Sequence, residues 1–304
     1  MRHCGDSTAP GVRDSTSKST TAPTVALASI AQAGQGLLQA KSRVACVPMP
    51  EALTHELSDQ VLTISFNRPE KKNALTMAMY DALFSRLQQG EEESAVRAIV
   101  IRGEGGSFTA GNDLGDFMRD PPSSMDSPVG RVLGLLPQLR TPVIAAVNGA
   151  AVGIGTTLLM HCDLVYCSDR SKFKMPFVPL GLCPEAGSSY LLPRLAGRVK
   201  ATELLLLGES FDAATALDIG LVNEVLSAEA LDERVRNVAL KIAALPPASV
   251  RLTKSLISQA QRDMLHAAME REGDLFLERL RSPEAGEAMQ AFFQKRAPDF
   301  SKFE

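Results

Sequence analysis

The segment that decides the fold is TPVIAAVNGAAVGIGTTLLM, residues 141–160. Its first seven residues form an apolar run, which predicts a strand over residues 141–147 that ends at Asn148-Gly149. Gly153-Ile154-Gly155 then opens an apolar helix that extends to Met160. The start of a helix exposes unpaired N–H groups near a partial positive charge. The segment therefore predicts a strand, a turn and a helix whose first N–H groups can stabilise an enolate oxygen.

A glycine-rich turn between a strand and a helix also raises the alternative of a site for a nucleotide pyrophosphate. The glycines lie at positions 149, 153 and 155, which fits neither the G-x-G-x-x-G pattern nor the Walker A pattern. No Lys-Ser/Thr pair follows them. The spacing therefore argues against a dinucleotide-binding site.

Strands and helices alternate on both sides of this segment. Patterns typical of strands lie at residues 60–66, 97–102, 163–167 and 173–175. Between the first two, a helix is predicted from apolar residues at helical spacing, namely Leu75, Met79, Leu83 and Leu87. Later helices are predicted at residues 196–207, 228–245, 248–259, 263–280 and 283–293. The alternation indicates an α/β protein in which helices cover a sheet.

The composition is that of a globular protein that acts on a small molecule. The 304 residues are 45% apolar and 22% charged, which predicts one main core. The formal net charge of -3 gives no basic surface that would attract nucleic acid or an anionic membrane. The five cysteines are odd in number and include no C-x-x-C pair, so they predict neither a zinc site nor a disulfide framework and favour a reducing compartment.

Residues 1–48 differ from the rest of the chain. Residues 7–24 are rich in Ser, Thr, Ala and Pro without hydrophobic periodicity, which predicts disorder. Two interpretations stay open for this extension: a targeting segment, or a misassigned translation start with Met49 as the true first residue. The remainder is predicted to divide into a core, residues 49–245, and a C-terminal helical region, residues 246–304.

One carboxylate and two turns suggest proton transfer beside a carbonyl group. Glu185 lies in GLCPEAGSS, residues 181–189, and a second glycine-bearing turn, FTAGNDL, occupies residues 108–114. Backbone N–H groups of the two turns can bind an oxyanion while the carboxylate moves a proton. A glutamate that follows a proline also occurs in the first turn of helices, where the dipole favours it, so a purely structural role for Glu185 is the alternative. His161 is expected to pack in the interior, and Cys183 is expected to fill space.

Four motifs in order resemble the crotonase (enoyl-CoA hydratase/isomerase) superfamily. They are NRPEKKNAL at residues 67–75, FTAGNDL at 108–114, VNGAAVG at 147–153 and AATALDIGLV at 213–222. The resemblance covers residues 52–304. It implies a crotonase (ClpP-like) α/β fold, a spiral of ββα repeats with a helical C-terminal trimerisation region, and therefore a homotrimer or a dimer of trimers.

The resemblance also assigns roles to individual residues. The N–H groups of Asn112 and Ile154 match the two donors that bind the thioester oxygen in crotonases. The implied substrate-binding residues are Asn73, Ala74, Leu75, Thr109, Ala110, Gly111, Asp113, Leu114, Gly153 and Phe177. Lys71 and Lys72 are either contacts for the phosphates of CoA or a solvated charge pair. No metal is implied, and CoA enters as part of the substrate and not as a separate cofactor.

Two positions separate this chain from the hydratases it resembles. Hydratases of the superfamily use two glutamates, and Thr157 and Phe177 stand at the matching positions. Glu185 instead matches the single acid of the peroxisomal-type enoyl-CoA delta isomerase branch. One base suffices to take a proton from C2 of a 3-enoyl-CoA and return it to C4, and apolar surroundings raise the pKa of that base towards neutrality. The expected enclosure consists of Phe173, Phe177, Leu180 and Leu182.

An acyl-CoA double-bond isomerase of lipid metabolism is therefore the leading functional prediction. The alternatives are another crotonase reaction on a CoA thioester, either hydration or a hydrolase or dehalogenase reaction with Glu185 as nucleophile, and a catalytically silent CoA-binding protein. Residues 119–128 are expected to border the acyl pocket. The chain ends in Lys302-Phe303-Glu304 and not in Ser-Lys-Leu, so a cytoplasmic location is expected over a peroxisomal one.

Overall fold

The computed structural model of the chain describes residues 52–303. The predicted extension, residues 1–48, lies outside the described residues, and the predicted division between residues 245 and 246 stays a prediction. The strands are β1 (Leu53–Ser58), β2 (Val61–Phe66), β3 (Ala98–Gly103), β4 (Val143–Val147), β5 (Ala150–Val152), β6 (Leu164–Ser168), β7 (Lys172–Lys174), β8 (Phe211–Asp212) and β9 (Glu224–Leu226).

Helices connect these strands and form the C-terminal part of the described chain. They are α1 (Met77–Glu92), α2 (Leu114–Arg119), α3 (Pro128–Leu135), α4 (Ile154–Thr157), α5 (Ser188–Leu207), α6 (Ala213–Asp218), α7 (Ala228–Ala243), α8 (Pro247–Gln259), α9 (Arg262–Leu280) and α10 (Pro283–Phe293). Between residues 52 and 303, no helix is both long and apolar enough to cross a bilayer.

The strands of the described chain form two sheets. The larger sheet has the order β1-β2-β3-β4-β6-β9; β1 and β2 are antiparallel, and the other neighbours are parallel. The smaller sheet has the order β5-β7-β8. Parallel neighbours require a crossover connection, so the chain returns repeatedly to the same edge and winds into successive strand and helix layers. This agrees with the predicted α/β class.

Strand β4 shows how the larger sheet is covered on both faces. All five of its residues are buried. Val143, Ala145 and Val147 pack into the main core, whereas Ile144 and Ala146 pack into a second core against helix α7. Successive residues of a strand point to opposite faces, so an unbroken apolar run identifies a strand with helices on each side.

Backbone contacts bring three of the quoted motifs together. Leu75 pairs with Asn112 and Thr109 pairs with Ala151 through isolated β-bridges. The N–H of Thr109 donates to the carbonyl of Ala150 at 2.9 Å, and the N–H of Val152 donates back to the carbonyl of Thr109 at 3.0 Å. The turns at residues 67–75, 108–114 and 147–155 are thereby fixed side by side.

Most predicted elements are present with ends shifted by a few residues, but several differ. Strands β1, β5, β8 and β9 were not predicted, because each is short or lacks clear alternation. Helix α5 begins at Ser188 and not at residue 196. Pro193 lies within this helix and Gly197 has a φ of 73°, so the helical pattern is interrupted and its first turns are not evident from the sequence.

Candidate active site

A cavity of about 630 Å³ brings together the predicted acid and both predicted donor turns. The loops around β3 and β5, the segment that follows β7 and the two C-terminal helices form its walls. The lining residues used below are Ala74, Ala110, Gly111, Asn112, Asp113, Leu114, Gly153, Ile154, Phe177, Leu180, Leu182, Glu185, Phe276, Phe292 and Phe293. The cavity is mostly apolar, and its polar groups come from the turns, from Glu185 and from Lys174 of strand β7.

The turn at residues 108–114 presents the N–H of Asn112 to this cavity. The N–H of Leu75 donates to the carbonyl of Gly111 at 2.8 Å, and the N–H of Asp113 donates to the carbonyl of Leu75 at 2.8 Å. The residue between these two bonds therefore points its own N–H away from Leu75. Within residues 52–303, the N–H of Asn112 has no acceptor.

Helix α4 supplies the second donor. Gly153 precedes it with φ 56° and ψ -119°, a backbone conformation that is open to glycine and strained for other residues. The N–H of Gly153 donates to the carbonyl of Lys174 at 2.8 Å, so the turn is anchored on β7. The N–H of Ile154, the first of the helix, has no acceptor in the described part of the chain. Two unpaired N–H groups on one cavity are suited to binding an oxyanion.

The side chain of Asn112 is fixed as well as its backbone. The hydroxyl of Tyr80 donates to Oδ1 of Asn112 at 2.5 Å, and Tyr80 is almost fully buried on helix α1. Burial is the main reason that the pKa of Tyr80 lies well above its ordinary value, and the nearby charge of Glu185 raises it further. Tyr80 therefore stays a neutral donor and holds the turn that carries the Asn112 N–H.

Glu185 is a buried acid with a pKa near neutrality. It is 7% exposed. Burial raises its pKa to about 7, the hydroxyl of Thr157 opposes this by stabilising the ionised form, and the charge of Glu272 raises it further. The Thr157 hydroxyl donates to Oε1 of Glu185 at 3.3 Å. A carboxyl group with this pKa can both accept and return a proton at neutral pH.

The predicted apolar enclosure of Glu185 is present in part. Phe177, Leu180 and Leu182 line the cavity, and the ring of Phe177 lies edge-on to Phe276 of helix α9 at 6.4 Å. Phe173 does not line it, because its ring stacks on Phe211 in the core at 5.5 Å. Glu185 itself lies before the N-cap residue Gly187 of helix α5, so it is not a first-turn residue of a helix.

His161 and Cys183 occupy structural positions, as expected. His161 is buried, and its Nε2 donates to the carbonyl of Ala186 at 2.7 Å. Burial lowers the pKa of His161, which keeps the ring neutral. Cys183 is half-buried, and burial raises the pKa of its thiol to about 11, so it carries no thiolate for nucleophilic attack.

The predicted substrate-binding residues fall into two groups. Those that line the cavity are Ala74, Ala110, Gly111, Asp113, Leu114, Gly153 and Phe177. Asn73, Leu75 and Thr109 are not among the lining residues, and their side chains are buried behind the cavity wall. Asn73 accepts from the N–H of Arg68 and donates to the carbonyls of Glu104 and Ser107, and it therefore shapes the turn without reaching the cavity.

Charged residues at the cavity also have distinct roles. Asp113 caps helix α2 by accepting from the N–H groups of Gly115 and Asp116, and it pairs with Arg68 at 2.7 Å. Burial raises the pKa of Asp113. The guanidinium of Arg68 and the N–H groups of the helix stabilise the ionised form more strongly, so the pKa of Asp113 is lowered. Lys71 lines the cavity, and Lys174 does so too although the sequence did not single it out. Lys72 is not among the lining residues.

Helices α9 and α10 contribute aromatic residues that sequence reasoning missed. Phe276 lies on α9, and Phe292 and Phe293 end α10 with more than half of each side chain exposed. All three line the cavity. Two adjacent aromatic residues at the end of an amphipathic helix were the available signal, but nothing in the local pattern says which part of the fold the helix approaches.

A smaller pocket of about 50 Å³ continues from Glu185 under the loop before helix α3. Its walls include Pro122, Ser124 and Met125 of that loop and Met269 and Phe276 of helix α9. Residues 119–128 were expected to border the acyl pocket, and several of them line this pocket together with Glu185. The small volume leaves little free space beyond the carboxyl group.

Comparisons with known proteins identify the family. The family model described as enoyl-CoA hydratase/isomerase matches residues 56–302. The chain belongs to this family. It is therefore an enzyme of a family that acts on acyl-CoA thioesters, and the predicted crotonase superfamily is confirmed.

Individual relatives agree in sequence and in fold. The chain is 34% identical to 1,2-epoxyphenylacetyl-CoA isomerase of Escherichia coli over 83% of this chain and 99% of that protein. It is also 34% identical to human enoyl-CoA delta isomerase 2, over 81% of this chain and 64% of that protein. The solved structure of Pseudomonas aeruginosa OdaA matches with a TM-score of 0.78 and 46% identity, covering 80% of this chain and 99% of that one.

Proposed function

We propose that this family member is an acyl-CoA double-bond isomerase that converts a 3-enoyl-CoA into a trans-2-enoyl-CoA. Glu185 takes a proton from C2, and the resulting negative charge spreads through a dienolate to the thioester oxygen. The N–H groups of Asn112 and Ile154 bind that oxygen. Glu185 then returns the proton to C4, so the double bond moves and no water is added.

The observation that carries this proposal is a single buried carboxyl group on the same cavity as two unpaired N–H groups. Asp113 is the other carboxylate among the described lining residues, and its oxygens are engaged by Arg68 and by the start of helix α2. The pKa of about 7 for Glu185 is that of a group which loses and regains a proton near neutral pH.

Hydration of a 2-enoyl-CoA is the less favoured reaction. It requires a second acid or base to activate and orient water. Thr157 and Phe177 stand where hydratases of the superfamily carry their two glutamates, and neither side chain can act as a general base. Phe177 also helps to make the surroundings of Glu185 apolar. The absence of both glutamates therefore supports isomerisation over hydration.

The location of the protein and its cofactor requirement are part of the proposal. Cys162, Cys167 and Cys183 are free thiols, as is usual in a reducing compartment, and this supports the cytoplasm. The proton shuttle uses only protein groups and the thioester itself. We therefore propose that the reaction needs no cofactor other than the CoA that the substrate carries.

A homotrimer or a dimer of trimers is proposed for the assembly. Helix α8 has no buried residue in the described chain, and it exposes Leu252 (60%), Leu256 (62%) and Ile257 (70%). Such an apolar helix face on an isolated chain is typical of a surface that a second copy covers. Light scattering after size exclusion tests this, and a monodisperse monomer at micromolar concentration would contradict it.

The decisive experiment is an assay of a panel of 2- and 3-enoyl-CoA esters that follows both bond migration and hydration. We expect conversion of 3-enoyl-CoA without water addition, and incorporation of deuterium at C2 or C4 in heavy water only where the shuttled proton exchanges with solvent. Glu185→Gln is expected to lose nearly all turnover while its affinity for a CoA ester stays within about twofold, because its shape is unchanged. Rapid hydration would contradict the proposal, and so would a covalent adduct on Glu185, either a mixed anhydride formed by attack on the thioester with loss of CoA or an aryl ester formed by displacement of a halide.

A further inference from the structure

A second buried carboxylate contacts the backbone immediately after Glu185. Glu272 lies on helix α9 and is 6% exposed. Its Oε2 accepts from the N–H of Gly187 at 2.6 Å, and its Oε1 accepts from the N–H of Ser189 at 2.9 Å and from the Ser189 hydroxyl. All three donors lie within four residues of the acid on the cavity.

The backbone at this point needs external support. Ala186 has a φ of 58° and Gly187 a φ of 71°, so two consecutive residues adopt the left-handed conformation. For a residue with a Cβ this costs on the order of 1 kcal/mol. Gly187 is also the N-cap residue of helix α5 and has no side chain with which to cap it. Glu272 supplies that cap from a helix more than 80 residues away in sequence.

Further hydrogen bonds hold the turn at Ala186 and Gly187 from its other sides. The ring N–H of His161 donates to the carbonyl of Ala186 at 2.7 Å. The hydroxyl and the N–H of Ser188 donate to the carbonyl of Glu185 at 2.6 and 3.0 Å. His161 and Glu272 therefore hold the carbonyl and the N–H of the same peptide group, the one that joins Ala186 to Gly187, and the contact from Glu272 comes from helix α9.

We propose that Glu272 is a positioning residue for the reaction: it clamps the Ala186–Gly187 turn and so fixes where the Glu185 carboxyl group points into the cavity. This inference rests on the proposed function for the role of Glu185, but not for the contact between Glu272 and the turn. Reacting groups must be held to within about 0.5 Å of their productive positions for efficient proton transfer. A turn that is less well fixed is therefore expected to lower the turnover number more than the affinity for substrate.

The negative charge of Glu272 provides a second readout. The charged or titratable groups that face it are Glu185 and Cys183 from the segment before helix α5, and Arg271 from its own helix. Burial raises the pKa of Glu272, while its bonds to Ser189 and Gly187 and the charge of Arg271 favour the ionised form. Its charge adds to burial in raising the pKa of Glu185. A neutral replacement is therefore expected to lower the pKa of Glu185.

Three variants separate geometry from charge. Glu272→Gln keeps the size but loses the charge and replaces one acceptor oxygen with a donor NH₂ group that faces an N–H. Glu272→Asp keeps the charge but is one methylene too short to reach the turn. Glu270→Gln is the matched control, because Glu270 lies on the same helix and its side chain is 66% exposed. For each, kcat and KM for a 3-enoyl-CoA are measured from pH 5 to 9, together with thermal stability.

We expect Glu272→Gln to lower kcat at least tenfold with KM within twofold, and to move the acid limb of the kcat/KM profile to lower pH. Glu272→Asp should lower kcat while the acid limb stays in place. If Glu272→Gln does not fold, the kcat of Glu272→Asp decides whether Glu272 positions the turn. Glu270→Gln should match the parent enzyme. If both Glu272 variants lower only the melting temperature, with kcat per folded molecule and the acid limb unchanged, Glu272 is an ordinary structural residue and the inference is wrong.

A measurement without turnover distinguishes this inference from the proposed function. Infrared difference spectra between Glu185 and Glu185→Gln proteins isolate the carboxyl band of Glu185 and give its titration directly. The titration midpoint is expected to fall when Glu272→Gln is added to both. If the parent protein shows no isomerase activity, the proposed reaction is wrong, while the midpoint still decides whether Glu272 acts on Glu185. An unchanged midpoint overturns the electrostatic part of the inference.

Discussion

The hydroxyl of Thr157 donates to Oε1 of Glu185 at 3.3 Å, in the interior of the protein. This bond joins the end of helix α4 to the proposed proton shuttle. Burial favours the protonated form of Glu185, whereas a donor hydroxyl favours the ionised form. Thr157 therefore keeps the pKa of Glu185 lower than burial alone would set it.

Thr157→Val is expected to raise the pKa of Glu185, because valine has nearly the same shape and no donor. A base must be ionised to act, so the acid limb of kcat/KM should move to higher pH. At pH 7 the loss should be several-fold, and it should shrink at pH 9. Thr202→Val on the surface of helix α5 is the matched control. A limb that stays in place in Thr157→Val would show that the hydroxyl has no influence on the acid.

Glu185→Gln should change how stability depends on pH. The pKa of Glu185 is about 7 in the folded protein and 4.5 for an ordinary glutamate, so the folded state binds the proton more tightly. Its contribution to stability is complete below pH 4.5 and is lost as the pH rises through 7. Relative to Glu185→Gln, the parent enzyme should lose on the order of 3 kcal/mol of unfolding free energy between these limits.

Denaturant titrations of both proteins at several values between pH 4.5 and 8 measure this difference. The two curves of unfolding free energy against pH should diverge as the pH rises, with the glutamine variant the more stable at pH 8. Parallel curves would mean that Glu185 has an ordinary pKa, and its proposed role as a shuttle at neutral pH would lose its support.

Gly153→Ala is expected to damage the oxyanion site through the backbone alone. No atom lies within 4 Å of an added Cβ, so the cost is conformational strain at φ 56°, about 1–3 kcal/mol. Relief of that strain turns the Ile154 N–H away from the cavity, and we expect kcat to fall about a hundredfold. Gly134→Ala on helix α3 is the control, since it also meets no atom and lacks the positive φ. Equal activity of the two variants would exclude the Ile154 N–H from the mechanism.

Asn73→Ala tests whether this residue shapes the turn or contacts substrate. The Asn73 side chain is fully buried, and the change leaves the N–H of Arg68 and the carbonyls of Glu104 and Ser107 without their side-chain partner. Each unsatisfied buried group costs roughly 1–3 kcal/mol, so the unfolding free energy should fall by about 3 kcal/mol or more. A loss of CoA-ester affinity without a loss of stability would instead support direct contact with substrate.

The sequence predicted the parts of the site that short motifs encode. The turns that carry Asn112 and Ile154 were predicted because glycine spacing and strand ends fix the local backbone. Glu185 stood out because the stretch GLCPEAGSS, residues 181–189, resembles the stretch that carries the single acid of the isomerase branch. The same motifs misled at Asn73 and Thr109, since a motif identifies the segment that lines a cavity but not which of its side chains face inwards.

The contributions of the C-terminal helices were not predictable from local patterns. Glu272 and Phe276 lie one helical turn apart on helix α9, and they read as ordinary members of an amphipathic helix. Their roles depend on where α9 docks, which is decided by packing between segments far apart in the sequence. The strained backbone at Ala186 is the other missed feature, because alanine gives no sign of a positive φ.

Helix α9 has a consequence for the order in which a ribosome makes this enzyme. Glu185 leaves the exit tunnel long before residues 262–280 have been translated. Until that helix docks, the turn at Ala186 lacks its distant cap, and one wall beside the acid is open to water. A nascent chain with every strand already paired is thus expected to be inert, and activity should appear only after helix α9 has left the tunnel and docked.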